Sequence, residues 1–398
     1  MVWSDEIEAF VKAHIGDDVR LLALRKQQIQ GEELRTALMQ IELRQRVIEK
    51  LPSFASTPGI RFPSRLATEQ CSSERAALFK RKIVGGHYKK GVDLTGGMGI
   101  DTVALSFLCD EMTYVEQNPE LCEAARHNFP LLASNVTICE TTAEKWLDEN
   151  RDSGRVGLLF VDPARRDDNG GKVFRIEECT PNIKSLLPRM MAAAEKVVVK
   201  LSPMLDVKEC IEALHPDTIT IVSVNNECKE LVAVITGSNR ETEIEAVELR
   251  KDDCLSMRFT LSEEAAATGI QVSSIEKGMV VAEPYAAFMK SGAWKTLCHR
   301  YNARMLAPSS HLYVTEGDFP GRRFLITQVC DFNKRNAAMI LKGQANLTVR
   351  NFPMTVAEVR KRFNTQDGGE RYIFLTTAHD NRRIIIEGTK GEFYKFTV

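Results

Sequence analysis

No run of about 18 apolar residues occurs in this 398-residue chain, so it offers no segment that reads as a membrane-spanning helix. Its ten cysteines include no C-x-x-C pair, and its seven histidines form no H-E-x-x-H. These absences argue against a disulfide framework, a zinc ribbon or a zincin-type centre, and no metal site is expected. The opening residues, Met1-Val2-Trp3-Ser4-Asp5-Glu6, lack the basic-then-apolar layout of a secretory leader, so a reduced, cytoplasmic setting is expected. Charge of one sign is also missing overall, the net value being −1, but that total hides an imbalance. From Gly321 to Val398, fourteen Lys and Arg stand against seven Asp and Glu, a balance of +7 that leaves −8 on residues 1–320. A basic end on an acidic body suggests a polyanionic partner, RNA or DNA. A solvated surface rich in Lys and Arg is the alternative.

The length suggests two to four domains. Residues 4–50 carry leucines and isoleucines at helical spacings, and "LPSFASTPGIRFPSR" (51–65) reads as a loop. A helix is expected from Ser72 or Ser73, whose hydroxyl can cap it. From residue 91 strands and helices alternate, with strands at 91–94, 113–116, 135–139, 156–161 and 196–201 and helices near 99–108, 119–128, 143–150, 177–193 and 206–213. That rhythm predicts an α/β fold with a parallel sheet. Two further strands, 217–223 and 230–237, lie too close for a crossover and predict a terminal antiparallel hairpin. Beyond Arg240 follow two strands, a helix over 285–301, and a basic α+β unit. In that unit strands at 323–330, 345–350, 371–377 and 382–387 enclose helices at 333–341 and 355–363.

The stretch "GVDLTGGMGIDT" (91–102) passes from a buried strand into a helix through three glycines, which lets backbone N–H groups approach a ligand closely. An ordinary strand-to-helix turn would also carry glycine. The dinucleotide pattern G-x-G-x-x-G fails at its third glycine, where Thr102 stands. Asp93, four positions before Gly97, would repel a pyrophosphate and suits a cationic ligand such as S-adenosylmethionine. Asp93-Leu94-Thr95-Gly96-Gly97-Met98-Gly99, Glu116 at the end of the second strand, the 139–144 region and Asp162-Pro163-Ala164-Arg165 after the fourth strand occur in the order found in class I S-adenosylmethionine-dependent methyltransferases. "LATEQCSSERAALFKR", "DPARR", "VKLSPMLD" and "MTVAEVRKRFNTQDGGERYIFLTT" extend the likeness over essentially the whole chain. The sequence thus resembles the bacterial class I methyltransferases with a C-terminal THUMP-like domain.

The resemblance implies a helical N-terminal segment (1–85), a Rossmann-like class I core (86–240), a ferredoxin-like connector (241–325) and a THUMP-like domain (326–398). It also implies S-adenosylmethionine as cofactor, held by Asp93, Thr95, Gly97, Gly99, Glu116, Gln117, Thr142 and Ala143, with Glu116 accepting the ribose hydroxyls. Asp162 and Pro163 would accept hydrogen bonds from an exocyclic amine of a base, and Arg165 would stack on it or hold a phosphate. Methylation of a base nitrogen of tRNA or rRNA is therefore expected. The alternatives are methylation of protein or small molecules, or a non-catalytic RNA-binding protein that keeps the fold. C5 chemistry on a pyrimidine needs a cysteine nucleophile; none follows Lys200-Leu201-Ser202-Pro203 until Cys210, and Cys179 and Cys210 read as buried apolar residues. The expected RNA contacts are Arg322, Arg323, Arg360, Lys361, Arg362, Arg382 and Arg383, with the pairs 322–323 and 382–383 facing one another.

Overall fold

The computed structural model describes residues 3–165, 176–251 and 253–391. They separate into two compact units, one running to Thr220 with Glu230–Arg240 added, the other comprising Ile221–Lys229 and the residues from Glu241 onward. No helix among the described residues is long and apolar enough to cross a membrane.

The first unit opens with six helices: α1 (Asp5–His14), α2 (Val19–Leu24), α3 (Gly31–Val47), α4 (Pro52–Ser56), α5 (Arg65–Gln70) and α6 (Glu74–Val84). α4 and the start of α5 fall where the sequence suggested a loop; Pro52 sits in the first turn of α4, where its missing N–H costs nothing. Ser73 caps α6 as expected, its Oγ accepting the Ala76 N–H at 3.3 Å. The N-terminal segment is not a separate body. Leu43, Val47, Leu51 and Phe54 share one buried cluster with Met98, Ile100 and Ala104 of the glycine turn and the helix after it.

One sheet contains β1 (Tyr88–Asp93), β2 (Cys109–Glu116), β3 (Val136–Glu140), β4 (Val156–Val161), β5 (Ala194–Leu201) and the hairpin β6 (Thr218–Val224) and β7 (Glu227–Ile235), whose residues 221–229 are counted with the second unit. The crossovers are α7 (Ile100–Ser106), α8 (Pro119–Leu132), α9 (Ala143–Glu149), α10 (Ile183–Ala193) and α11 (Val207–Leu214). Strand order is 3-2-1-4-5-7-6, with β7 antiparallel to β5. The hairpin turn is Asn225-Asn226, with φ of 51° and 64°; two left-handed residues are what a two-residue turn needs to match the twist of its strands. α10 starts at 183 and not at 177, because Pro181 precedes it and Asn182 caps it through the Ser185 N–H.

In the second unit β8 (Glu243–Leu249) and β9 (Cys254–Thr260) form an antiparallel pair, followed by α12 (Leu261–Ala266). The helix expected over 285–301 is two helices, α13 (Ala286–Ser291) and α14 (Trp294–Arg300), separated at Gly292, whose φ is 78°. A second sheet contains β10 (Val280–Pro284), β11 (Gly321–Asp331), β12 (Asn346–Arg350), β13 (Arg371–Thr377) and β14 (Arg383–Lys390), in the order 10-11-14-13-12. Its alternation is of period two: Phe374, Ile384 and Ile386 join one core, while Ile373, Leu375 and Ile385 face Ala337, Ile340 and Val359 of α15 (Lys334–Ile340) and α16 (Val356–Phe363). β11 runs unbroken across the boundary drawn at 325/326. It pairs with β10 along Val280–Pro284 and with β14, so no domain border falls inside it.

Candidate functional site

The strand order reverses between β1 and β4, and ligands of open α/β sheets bind at such a point, beyond the carboxyl ends of the strands. Register brings the expected acids to that edge. Asp93 lies opposite Tyr114 of β2 and Phe160 of β4, which sets Glu116 and Asp162 two residues further along their own chains.

Asp93 is buried, with both oxygens engaged: Oδ1 accepts the Thr95 N–H at 3.0 Å and Oδ2 the Thr102 hydroxyl at 2.6 Å. The carboxylate therefore ties the turn to the start of α7 and braces the loop, and its burial, at 1% exposure, keeps it from a ligand's ammonium. Burial pushes its pKa up to about 7, against the lowering effect of those hydrogen bonds. The unfolded value is about 3.9, so the folded state binds this proton more tightly. The stability it confers is present in full below about pH 4 and lost as pH rises through about 7. Asp93→Asn should remove that dependence, so that denaturation titrations from about pH 5 to 8 show the wild type losing roughly 2–4 kcal/mol more than the variant. Parallel curves would assign Asp93 an ordinary pKa.

Gly97 and Gly99 have φ of 54° and 81°, backbone that glycine adopts without strain. Gly96, which the sequence reading did not single out, is required for another reason. A Cβ there would lie 2.1 Å from the ring of Tyr114, whose hydroxyl donates to the Gly97 carbonyl at 2.6 Å. The side of Gly97 is open: a Cβ added there would have the Thr95 carbonyl oxygen as its nearest neighbour, at 3.8 Å. Glu116 accepts the Gly97 N–H on Oε2 and the Asn118 N–H on Oε1, each at 2.9 Å. One acceptor position remains on each oxygen, the number a ribose diol needs. Gln117 is exposed beside it. The Thr141 N–H donates to the Glu116 carbonyl at 3.0 Å, bringing the loop after β3 to the same edge. There Thr142 caps α9 through the Lys145 N–H at 3.2 Å, and Ala143 is buried behind it. The open glycine, the anchored carboxylate and the adjacent loop at Thr142 and Ala143 fit S-adenosylmethionine.

Thr95 stands where related turns often have glycine, and its hydroxyl has a local use: Oγ1 accepts the Asp162 N–H at 2.6 Å, fastening the β4 end to the glycine turn. Pro163 follows at the rim. Arg165 belongs to a two-residue bridge, Ala164–Arg165 against Cys179–Thr180, and its side chain lies outside the described residues. Cys179 and Cys210 are buried, as expected.

Four groups that the sequence reading missed stand behind Asp162. Lys200 forms an ion pair with the Asp162 carboxylate and lies 3.8 Å from Asp101 Oδ2. Lys80 lies 3.0 Å from Asp101 Oδ1 and 2.8 Å from Glu230 Oε2. Burial pushes the Asp101 pKa up, but Lys80 and Lys200 outweigh it and hold the group below its usual range. The signal for Lys80 was present: with Ala76, Ala77 and Val84 it lies on the buried stripe of α6.

In the second unit the expected basic contacts divide. Arg322 pairs with Glu283, as does Arg350 at 2.8 Å. Arg323 pairs with Asp318 at 3.4 Å, Arg360 with Asp367, and Arg382 with Asp380 and Asp331 at 2.6 and 3.1 Å. Lys361, Arg362 and Arg383 are exposed. The pairs 322–323 and 382–383 do not face one another. β11 and β14 are antiparallel, with Phe324 opposite Lys390 and Asp331 opposite Ile384, so the two pairs mark opposite ends of the sheet, roughly 25 Å apart at about 3.3 Å per residue. A groove of about 600 Å³ in this unit has Glu276, Asp331 and Asp380 beside Lys277 and Arg382 in its lining, a mixture without bias toward anions.

Sheet order, hairpin and glycine turn together define a class I methyltransferase fold. Residues 321–390 match the THUMP domain-like family and residues 281–320 a ferredoxin-like domain family. A protein from Porphyromonas gingivalis W83, provisionally named as a methyltransferase, has a crystal structure 30% identical over 98% of this chain and 100% of its own, with a TM-score of 0.85. The chain belongs to that family, the class I methyltransferases with a C-terminal THUMP-like domain. An rRNA methylase from Streptococcus thermophilus (13% identity, 41% of this chain, 95% of that one, TM-score 0.29) and a SAM-dependent methyltransferase from Agrobacterium tumefaciens (12%, 47%, 61%, 0.31) are more distant. No curated protein matches the sequence.

Proposed function

We propose that the protein transfers the methyl group of S-adenosylmethionine to a base nitrogen of RNA, either tRNA or rRNA. The observation that carries this reading is the pairing of an anchored carboxylate, Glu116, with an acceptor-side carboxylate, Asp162, on one glycine turn: Gly97 donates to the first and Thr95 accepts from the second. When bound, S-adenosylmethionine supplies an electrophilic methyl group on a sulfonium. The residues of the chain align the acceptor with it and exclude water. Glu116 would hold the ribose hydroxyls, the loop at Thr142 and Ala143 the adenine, and the open side of Gly97 the amino-acid end. Asp162 and the Pro163 carbonyl would accept hydrogen bonds from the acceptor amine and so keep its lone pair on nitrogen as the new C–N bond forms. A cytoplasmic location accords with an RNA substrate.

The basic C-terminal unit would capture the phosphates. With Arg322, Arg323, Arg360 and Arg382 engaged in ion pairs, the main contacts are assigned to Lys361, Arg362 and Arg383. Incubating the protein with methyl-labelled S-adenosylmethionine and bulk tRNA or rRNA from a strain lacking the gene, followed by nucleoside mass spectrometry, tests the proposal. One labelled base is expected. Label in protein or small molecules alone would favour the other substrate classes. No label with tight RNA binding would favour a non-catalytic binder. Lys361→Glu, Arg362→Glu and Arg383→Glu together should weaken RNA binding and lower its log–log salt slope by roughly 0.7–0.9 per phosphate contact. An unchanged slope would assign these residues to a solvated surface.

A further inference from the structure

Five charged side chains alternate in sign from the interior to the acceptor edge of the site: Glu230, Lys80, Asp101, Lys200 and Asp162. Each belongs to a different element, respectively β7, α6, α7, β5 and the turn after β4. Lys80 is fully buried, Glu230 is 3% exposed, Asp101 10%, Lys200 13% and Asp162 35%, so only the last member opens toward a ligand. The inner three hold the fourth. Lys80 occupies one oxygen of Asp101, and Ser72 donates to the other at 2.6 Å, the oxygen nearest Lys200. Burial would lower the pKa of Lys200, but Asp162, Asp101 and Glu230 outweigh it and keep the ammonium charged. Lys200 bonds Oδ2 of Asp162, while the Asp162 N–H is fixed on Thr95. The Asp162 carboxylate is thus held from its backbone and from one oxygen, and its charge is balanced by a buried cation.

We propose that Lys200 is a positioning residue that aims Asp162 and neutralises it beside the methyl donor, and that Glu230, Lys80 and Asp101 hold Lys200 for that role. The inference rests on the S-adenosylmethionine reading above. With Lys200 in place, Asp162 acts as a hydrogen-bond acceptor with little net charge. Without Lys200, an unbalanced carboxylate faces the ligand and favours a cationic sulfonium over a neutral thioether.

The test compares binding of S-adenosylmethionine with that of S-adenosylhomocysteine, which lacks the methyl group and the charge. Lys200→Met should shift the affinity ratio toward S-adenosylmethionine by about tenfold, and Asp162→Asn should shift it the other way by a similar factor. Lys200→Arg, which keeps the cation, should hold the wild-type ratio, and the Lys200→Met, Asp162→Asn double variant should return to it. If Lys200→Met folds poorly, Asp162→Asn and Lys200→Arg carry the test on their own. Equal weakening of both ligands, with the ratio unchanged in Lys200→Met or in Asp162→Asn, would make Lys200 a strut and overturn the proposal while leaving the cofactor assignment standing. A wild type that binds neither ligand would overturn both.

Discussion

Lys80→Met is expected to destabilise the protein by about 3–5 kcal/mol, the usual cost of stranding a buried charge by deleting its partner. Lys80 is fully buried and bonded to Glu230 at 2.8 Å, with Ser72 Oγ at 3.3 Å and Asp101 Oδ1 at 3.0 Å. Methionine fills similar volume but leaves the Glu230 carboxylate, whose Oε1 already lacks a hydrogen-bond partner among the described residues, facing an apolar chain. Asp101 suffers less, because Lys200 and Ser72 remain beside it. The contrast is Lys80→Met with Glu230→Gln, which removes both charges and should recover much of the loss. Denaturant unfolding of the wild type, Lys80→Met, Glu230→Gln and the double variant measures the coupling. If the double variant is as unstable as the sum of its parts, Lys80 serves through packing and not through charge.

Gly96→Ala is expected to prevent normal packing of the glycine turn, at a cost of about 3 kcal/mol. The added Cβ would meet the Tyr114 ring at 2.1–2.7 Å, and that ring cannot yield. It is fully buried, sits edge-on to Phe129 with centroids 5.1 Å apart, and its hydroxyl is bonded to Gly97. Gly97→Asp, at the next residue of the turn, provides the comparison. Its side is open, so the variant should fold with a loss of about 1–2 kcal/mol for a left-handed non-glycine residue. It should nevertheless lose S-adenosylmethionine, since a carboxylate would occupy the space. Thermal melts with and without ligand distinguish the two. A stable, ligand-binding Gly96→Ala would show that the turn can shift away from Tyr114.

The core was legible in the sequence because its signals are local. β4 reads as an uninterrupted apolar run, Asn225-Asn226 joins two β-rich stretches, and the acids at the ends of β1, β2 and β4 fall where strand endings can be counted. The charged chain behind Asp162 was not legible. Lys80 and Glu230 are 150 residues apart, and only the packing of α6 against the sheet unites them. The basic C-terminal residues failed differently. Composition counts charges but not partners, and four of the seven expected to meet phosphate are engaged by Glu283, Asp318, Asp367, Asp331 and Asp380. Likewise the pairs 322–323 and 382–383 both lie near strand starts in sequence. The antiparallel register of β11 and β14 is what sends them to opposite ends of the sheet. The division of the chain at 85/86 missed that the N-terminal helices share a core with Met98 and Ile100.

Calorimetric titration of S-adenosylmethionine and NAD into the wild type and into Glu116→Ala tests the central claim most directly. The wild type is expected to bind S-adenosylmethionine and not NAD. Glu116→Ala is expected to weaken the first by about 10–100-fold, the loss of roughly one charge-assisted hydrogen bond to a ribose. Tight NAD binding without S-adenosylmethionine binding, or a Glu116→Ala variant with wild-type affinity, would contradict it.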